Sequence, residues 1–349
     1  MHPYKQLTLI LCSLLFSFSS HAFSSITFHS VEQGRQAIID ESVEPYFSRL
    51  QAMEMQAKTA GKVTTDNLDK MRSNTRKVYQ QAVLPFSAED KDTLKWYIKQ
   101  YSKVLNKSYP LLAKTPWKFV KLKNHIEGAL PHTRADTIVL HEAMLNRLTE
   151  AKSFQGEQAL QGAGTVLVHE LIHVAQRNRV KEFHNLYKQW GFRKVQLESN
   201  NEWMKEHQLI NPDGVNVEWI YPVNNNWILP VVTWSEVSRN KNNINEGDAL
   251  RHMPGDFRMR AISVQKQSGT WKIATTANGR PLMKNLTKQE SMLRAFPRVR
   301  GLYHPNEIAA EMIVSMMIFD NYVDHSALEP RIVAAWKAVF LPVRQALLN

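Results

Sequence analysis

Two histidines separated by three residues, with a glutamate beside the first, could carry out chemistry in this sequence. The stretch GTVLVHELIHVAQRNRV runs from Gly164 to Val180 and contains His169, Glu170 and His173. On an α-helix, residues four apart lie on one face, so both imidazoles can bind the same metal ion. Glu170 points in a neighbouring direction, where it can reach the water that a metal activates without being a ligand. The spacing predicts a zinc site with two histidine ligands and a glutamate general base.

The residues around this motif indicate that its helix is buried. Apolar side chains occupy most of the neighbouring positions, namely Val166, Leu167, Val168, Leu171, Ile172, Val174 and Ala175. A helix that is apolar on almost every side packs inside a core. Two histidines and a glutamate placed there cost roughly several kcal/mol unless they are satisfied. A metal ion would satisfy all three.

The third ligand must come from another part of the chain. A histidine six positions after the second would require glycine at 176 and histidine at 179, but the chain has Gln176 and Arg179. Cysteine ligands are excluded because the single cysteine, Cys12, lies in the first 22 residues, which have the pattern of a signal peptide. A histidine or a carboxylate must therefore complete the site. The candidates are Glu307, Asp213, Glu236, Asp248, His252 and Asp256.

The segment YHPNEIAAEMIVSM, residues 303–316, supplies the first of these candidates. Pro305 suits the first turn of a helix, and Asn306 and Glu307 follow it. Together with HELIH, this segment resembles the gluzincin metallopeptidases, the thermolysin-like superfamily, whose third zinc ligand lies in an Asn-Glu pair that opens a helix. The resemblance implies that Glu307 is the third ligand of Zn²⁺ and that Glu311 orients a ligating histidine. It is confined to the HELIH helix and the segment around Glu307, which lies 134 positions after His173.

The resemblance also implies metal-assisted hydrolysis, in which Glu170 takes a proton from water and passes it to the leaving group. The tetrahedral oxyanion of such a reaction needs a second hydrogen-bond donor. Tyr303, one turn before Glu307, is the first candidate, and an aromatic residue that only packs at the helix entrance is the alternative. Further candidates are His304, Tyr221, His252 and Arg251.

The remaining sequence predicts an α+β fold that positions these residues. Residues 23–114 are predicted to be an N-terminal helical region that supports the main domain, with a propeptide as the alternative. Residues 115–349 are predicted to be a zincin-like catalytic domain, with a small β-sheet beside the HExxH helix. A β-rich insertion is expected at 211–283, before the third-ligand helix. The chain is predicted to return to helix from Pro305 onward.

Two short segments are predicted to form neighbouring strands of the small sheet. These are WKFVKLK at 117–123 and ADTIVL at 135–140. ADTIVL is expected either at the sheet edge, where an extended substrate could add as a strand, or in the interior without substrate contact. His132 and the tetrapeptide NPDG at 211–214 are first interpreted as turn residues.

The first 22 residues have the pattern of a signal peptide. Lys5 precedes an apolar run from Leu7 to Phe18, and the small residues Ser20 and Ala22 fit cleavage before residue 23. The run is too short to span a bilayer comfortably. The sequence therefore predicts an exported protein, periplasmic or secreted, with no membrane anchor after cleavage.

The formal net charge is +12 at pH 7. The basic residues are scattered and no nucleic-acid motif is present, so a nucleic-acid partner is not expected. Contact with an anionic cell-wall or envelope surface stays open. The predicted function is an exported zinc metallopeptidase that acts on a peptide or protein. Two alternatives are a zinc hydrolase of another amide bond, such as one in a cell-wall peptide, and a zinc-stabilised binding protein without turnover.

Overall fold

The structure, a computed structural model, describes residues 25–65, 67–198, 201–216, 218–234 and 257–347. Over these ranges the chain is a mixed α+β protein, as the sequence predicts. Among the helices of these ranges, none combines the length and the apolar character that a bilayer span requires. The predicted signal peptide, residues 1–22, lies outside the described residues.

Helices dominate both ends of the described chain. The N-terminal ones are α1 (Val31–Ala37), α2 (Tyr46–Arg49), α3 (Ala52–Lys58), α4 (Leu68–Gln81), α5 (Ala88–Ser108) and α6 (Pro110–Ala113). The central ones are α7 (Glu142–Gln155), α8 (Thr165–Asn178), α9 (Val180–Gln189) and α10 (Glu202–His207), and the C-terminal ones are α11 (Glu290–Ala295), α12 (Pro305–Tyr322) and α13 (Pro330–Leu347). The local sequence explains where several of these helices begin. For example, Ser87 caps α5 and accepts a hydrogen bond from the Asp90 amide.

The smaller sheet packs against α8, the helix that carries the HELIH motif. Its strands are β1 (Ile26–Phe28), β2 (Val83–Leu84), β3 (Trp117–Leu122), β4 (His132–Arg134) and β5 (Thr137–His141). Their order is β1-β3-β5-β4, with β2 also paired to β3. The predicted pairing of β3 with β5 is confirmed, and it is parallel. Of the two positions expected for ADTIVL, the structure shows the interior one, because β4 turns back and pairs antiparallel on the outer side of β5.

The larger sheet contains the predicted β-rich block. Its strands are β6 (Arg193–Lys194), β7 (Leu197–Glu198), β8 (Gln208–Leu209), β9 (Trp219–Val223), β10 (Asn226–Trp234), β11 (Phe257–Gln267), β12 (Thr270–Ile273) and β13 (Met283–Asn285). Their order is β6-β9-β10-β11-β12-β7, with β8 on β10 and β13 on β11. The hairpin turns fall at Asn224-Asn225 and Ser268-Gly269, where both residues have positive φ, as tight hairpins favour. The block thus begins earlier than predicted, at Arg193.

The N-terminal region shares its core with the rest of the chain. Ile38 and Phe47 pack in one apolar cluster with Val120 and Val139 of the small sheet and with Ile210. Two strands of this region, β1 and β2, pair with β3. The sheet therefore crosses the predicted boundary at residue 114, and the N-terminal helices pack against it as a layer.

Helices α8 and α12 pack against each other in the main apolar core. Leu167 and Leu171 of α8 belong to the same cluster as Ile308 and Met312 of α12. Burial of these two faces fixes the relative positions of the helices, because apolar side chains are more stable out of water. Within this contact, His169 and His173 of α8 lie beside Glu307 of α12.

Candidate metal centre

Helix α8 buries the middle of the HELIH motif. Glu170 is 3% exposed and His173 is 1% exposed, and their apolar neighbours on the helix are fully buried. His169 is only partly buried, with 22% of its side chain exposed. The helical spacing predicted from the sequence therefore places both imidazoles on one face, with His169 nearer to solvent.

Helix α12 presents Glu307 in its first turn. His304 is the N-cap, and its Nδ1 accepts a hydrogen bond from the Asn306 amide at 3.1 Å. Pro305 occupies the first helical position, as predicted. Glu307 is buried, and its carboxylate faces α8.

The three predicted ligands converge. His169 Nε2 lies 3.0 Å from His173 Nε2, and the Glu307 oxygens lie 3.3 Å from His169 Nε2 and 3.6 Å from His173 Nε2. Ligand atoms of a tetrahedral zinc site, at bond lengths of about 2.0–2.1 Å, are about 3.3–3.4 Å apart. The Oε2 atom of Glu307 is the oxygen near His169 and the Oε1 atom is the one near His173, and all of these separations are close to that spacing. This group could hold a metal ion.

The electrostatics of the group favour a cation. Although burial lowers the pKa of His173, the negative charges of Asp213 and Glu307 outweigh it and raise that pKa to about 10. Burial raises the pKa of Glu307, but the His173 charge and hydrogen bonds from both histidines hold it well below its usual value. A proton on His173 can interact with only part of this group, whereas a divalent cation would interact with all three side chains at once.

Gln176 is a site residue that the sequence analysis missed. Its Oε1 accepts a hydrogen bond from His173 Nδ1 at 2.8 Å, and its Nε2 donates to the Asn306 carbonyl at 2.8 Å. With the proton on Nδ1, the Nε2 of a neutral His173 is left free to bind a metal. The signal that could have identified Gln176 is its position, one turn after His173 on the same helix face.

Glu170 is close to the triad, and one of its carboxylate oxygens has no partner within the described part of the chain. Its Oε2 is buried and has no hydrogen-bond partner among the described residues. Burial, together with the negative charges of Asp213 and Glu307, raises the pKa of Glu170 well above its usual value. This shift favours the protonated acid in the metal-free group, and a cation bound beside it would favour the carboxylate, the form that accepts a proton from water.

Glu311 does not make the contact that the resemblance implied. Its two carboxylate oxygens accept hydrogen bonds from the backbone amides of Arg300 and Gly301, at 2.7 and 2.6 Å. Among the contacts of the described residues, the side-chain partner of His173 Nδ1 is Gln176. Glu311 holds the loop that leads into α12, and burial raises its pKa.

Tyr303 lies at the cavity beside the triad. Its hydroxyl oxygen accepts a hydrogen bond from Asn211 Nδ2 at 3.1 Å, so its own proton is available for donation. Burial and the charge of Glu307 raise the pKa of Tyr303 well above its usual value, which keeps the phenol protonated. Tyr303 is therefore a protonated hydrogen-bond donor on the cavity wall.

The other candidate donors do not share this position. Both nitrogens of His304 are engaged, Nδ1 by the Asn306 amide and Nε2 by the Asn216 carbonyl at 2.8 Å. Tyr221 packs in an aromatic group with Phe192 and Phe296 in the core. His252 and Arg251 lie outside the described residues, as do the candidate ligands Glu236, Asp248 and Asp256.

The NPDG tetrapeptide forms the predicted turn, and this turn touches the site. Asn211 Nδ2 donates to a Glu307 oxygen at 2.6 Å. Asp213, a candidate third ligand, lies with Glu170 and His173 in a second group of close acidic and imidazole atoms. Its Oδ1 already accepts hydrogen bonds from the amide and the hydroxyl of Thr133. Glu307 lies with both histidines of the motif, whereas the group of Asp213 includes only His173, so the triad with Glu307 is the better metal group.

A cavity of about 610 Å³ adjoins the triad. Its polar wall includes His169, Glu170, Glu307, Tyr303, Lys58 and His132, and its apolar wall includes Leu130, Leu209, Val232, Phe257 and Met259. This volume falls in the range of about 300–1,000 Å³ that is typical of small-molecule sites. His132, expected in a turn, lies on β4 and is buried.

Comparison of the chain with protein-family models, with curated proteins and with solved structures gave no match. The interpretation of the site therefore depends on its own residues and geometry.

Proposed function

We propose that this protein is a zinc-dependent metallopeptidase in which Glu170 is the general base. The observation that carries the proposal is the convergence of His169 Nε2, His173 Nε2 and the Glu307 carboxylate beside an unpartnered buried oxygen of Glu170. Structural zinc sites have four protein ligands, whereas catalytic sites have three and keep one position for water or substrate. Two histidines, one carboxylate and an adjoining cavity correspond to the catalytic arrangement.

Each residue of the site has a role in this proposal. His169, His173 and Glu307 hold the ion, and Gln176 fixes the ring of His173. A zinc ion held there would supply the positive charge that polarises a carbonyl and makes water more acidic. Glu170 takes the proton of the attacking water and delivers it to the leaving nitrogen.

The donor to the developing oxyanion is Tyr303 in this proposal. Support comes from its free hydroxyl proton and from its place on the cavity wall near Glu307. A donor that meets the oxygen only as charge develops lowers the barrier more than it strengthens substrate binding.

A second candidate function keeps the same chemistry and changes the bond. The net charge of +12 favours contact with an anionic cell-wall polymer, whose peptides also contain amide bonds. An idle binding protein is the less supported alternative, because the unpartnered Glu170 oxygen has no structural task. The signal-peptide pattern of residues 1–22 supports export to the periplasm or beyond in either case.

Cleavage profiling by mass spectrometry tests the proposal. The mature protein, loaded with zinc, is incubated with a mixed peptide library, and the Glu170→Gln variant serves as the matched control. We expect cleavage by the wild type and none by the variant. If both proteins leave the library intact while zinc is bound, the peptidase proposal is wrong.

A further inference from the structure

The edge strand of the small sheet has few free main-chain donors. In an antiparallel pair, alternate residues direct their N–H and C=O groups away from the partner strand. Thr133 is the outward-facing residue of β4, and its amide donates to Asp213 Oδ1 at 2.8 Å. Pro131, two residues earlier on the same side, has no N–H at all. Ala135, two residues later, has a positive φ of 48° and belongs to the turn into β5.

The turn that covers this edge is held by hydrogen bonds from α8 and α12 to its two central residues. Arg177 Nη2 donates to the Pro212 carbonyl at 2.8 Å, and Asn306 Nδ2 donates to the Asp213 carbonyl at 2.8 Å. Gly214 packs so closely on the ring of His304 that an added Cβ would lie 2.7 Å from it. The turn is therefore packed between α8, α12 and the edge strand, in close contact with all three.

The residue before the turn is held by the N-terminal helices. The Ile210 amide donates to Glu54 Oε1 at 2.6 Å, and the Ile210 carbonyl accepts from Lys58 Nζ at 3.0 Å. Lys58 also donates to Glu127 and to Tyr46, each at 2.8 Å, so all three of its protons are used. Lys58 lines the cavity but keeps no free proton for a ligand.

His132 provides a different kind of polar group in the cavity. Its Nδ1 contacts the Leu130 carbonyl at 3.1 Å, and a carbonyl can only accept, so Nδ1 carries the proton. Burial lowers the pKa of His132, which keeps the ring neutral. Its Nε2 is consequently a bare acceptor, buried and without a partner among the described residues. The atom could accept a hydrogen bond from an N–H or O–H group of a ligand.

We propose that the 211–214 turn closes the edge of the small sheet, so that the substrate is a short peptide recognised by cavity side chains, including His132, and not an extended polypeptide that adds to β4 as a strand. Asp213 takes the hydrogen bond that a substrate carbonyl would otherwise receive from Thr133. This inference rests on the proposed peptidase function for the identity of the ligand. The closed edge itself rests on contacts within the chain.

Amide hydrogen exchange tests the closed edge without any activity measurement. We expect the Thr133 amide to exchange slowly in the zinc-loaded wild type and in Asp213→Asn, whose side-chain oxygen can still accept. In Asp213→Ala it should exchange about 100-fold faster, while the amides of the interior strand β5 stay protected and report intact folding. Rapid exchange of Thr133 in the folded wild type would overturn the proposal, even if Asp213→Ala fails to fold.

Peptide length and backbone methylation test the consequence for the substrate. Tripeptides and tetrapeptides that contain the preferred cleavage site are compared with decapeptides that contain the same site. We expect kcat/KM to be similar for all of them and to tolerate N-methylation away from the scissile bond. Strand addition predicts the opposite, because each lost main-chain hydrogen bond lowers kcat/KM by about fivefold. A gain with length together with alternating sensitivity to N-methylation would contradict the proposal.

The two failures can be told apart. If the protein cleaves no peptide of any length while Thr133 stays protected, the peptidase function is wrong and the closed edge stands. If decapeptides are cleaved best and lose cleavage on alternate N-methylation, the peptidase function stands and the closed edge is wrong.

Discussion

Gln176 Oε1 accepts the Nδ1 proton of His173 at 2.8 Å, which fixes both the ring orientation and the tautomer of a predicted ligand. The same side chain donates from Nε2 to the Asn306 carbonyl, next to the other predicted ligand, Glu307. One amide thus joins the two helices that provide the triad. Partners of this kind raise the affinity of a metal site because they hold its ligands ready before binding.

Replacement of Gln176 should therefore weaken metal binding. We expect Gln176→Ala to lower zinc affinity by about 10- to 100-fold, as loss of an outer partner does in other zinc sites. Competition with a chromophoric chelator measures the affinity. Gln158→Ala, at an exposed position before α8, is the matched control and should bind zinc like the wild type. Equal affinities for the two variants would show that Gln176 does not support the site.

Tyr303→Phe should slow the reaction without loss of metal. Removal of one oxyanion donor lowers kcat by about 10²- to 10³-fold, and KM should change little because the donor acts on the transition state. Steady-state kinetics on a peptide from the cleavage profile, together with metal analysis, measure both quantities. Tyr221→Phe, in the aromatic group outside the cavity, is the control and should keep the wild-type kcat. An unchanged kcat in Tyr303→Phe would assign that residue to packing alone.

The contribution of Glu54 to stability should fall as pH rises toward neutrality. Burial raises the pKa of Glu54 from 4.5 to about 7. The positive charge of Lys58 opposes this shift without cancelling it, because its Nζ lies 3.6 Å from Glu54 and only 2.8 Å from Glu127. The folded chain then holds a proton on Glu54 more tightly than the unfolded chain does. Its contribution is complete below pH 4.5 and is lost as pH rises to about 7.

Glu54→Gln removes this titration but keeps an acceptor for the Ile210 amide. We expect the variant to lose less stability than the wild type between pH 5 and pH 8, by roughly 3 kcal/mol at most. Urea unfolding at both pH values gives the difference in free energy of unfolding. The exposed Glu32→Gln is the control and should follow the wild type. A Glu54→Gln variant whose stability changes with pH as that of the wild type does would contradict the assignment.

The parts of the site that depend on local geometry could be predicted from the sequence. His169 and His173 share a helix face because four residues make about one turn, and this holds wherever the helix lies. Pro305 marks the helix start that carries Glu307, and NPDG forms a turn for equally local reasons. The hairpin turns of the large sheet were predictable on the same ground.

Among the parts that depend on long-range packing, the meeting of Glu307 with the two histidines was predicted through the resemblance, whereas the others were not. Gln176 gains its role only because α12 brings the Asn306 carbonyl to it, across 130 positions of sequence. Asp213 reaches Thr133 across 80 positions, and no local pattern indicates that pair. The edge position of β4 likewise depends on the pairing of β5 with β3 on one side and with β4 on the other. The sequence of a single strand does not encode which strands pair with it.

Metal content of the purified protein tests the central claim most directly. Mass-spectrometric metal analysis is made on the wild type, on Glu307→Ala and on Glu311→Gln, all exposed to zinc and then dialysed. We predict about one zinc per chain for the wild type and for Glu311→Gln, whose carboxamide lies one turn further along α12, and little or none for Glu307→Ala. Full zinc occupancy in Glu307→Ala, or none in the wild type, would contradict the triad of His169, His173 and Glu307.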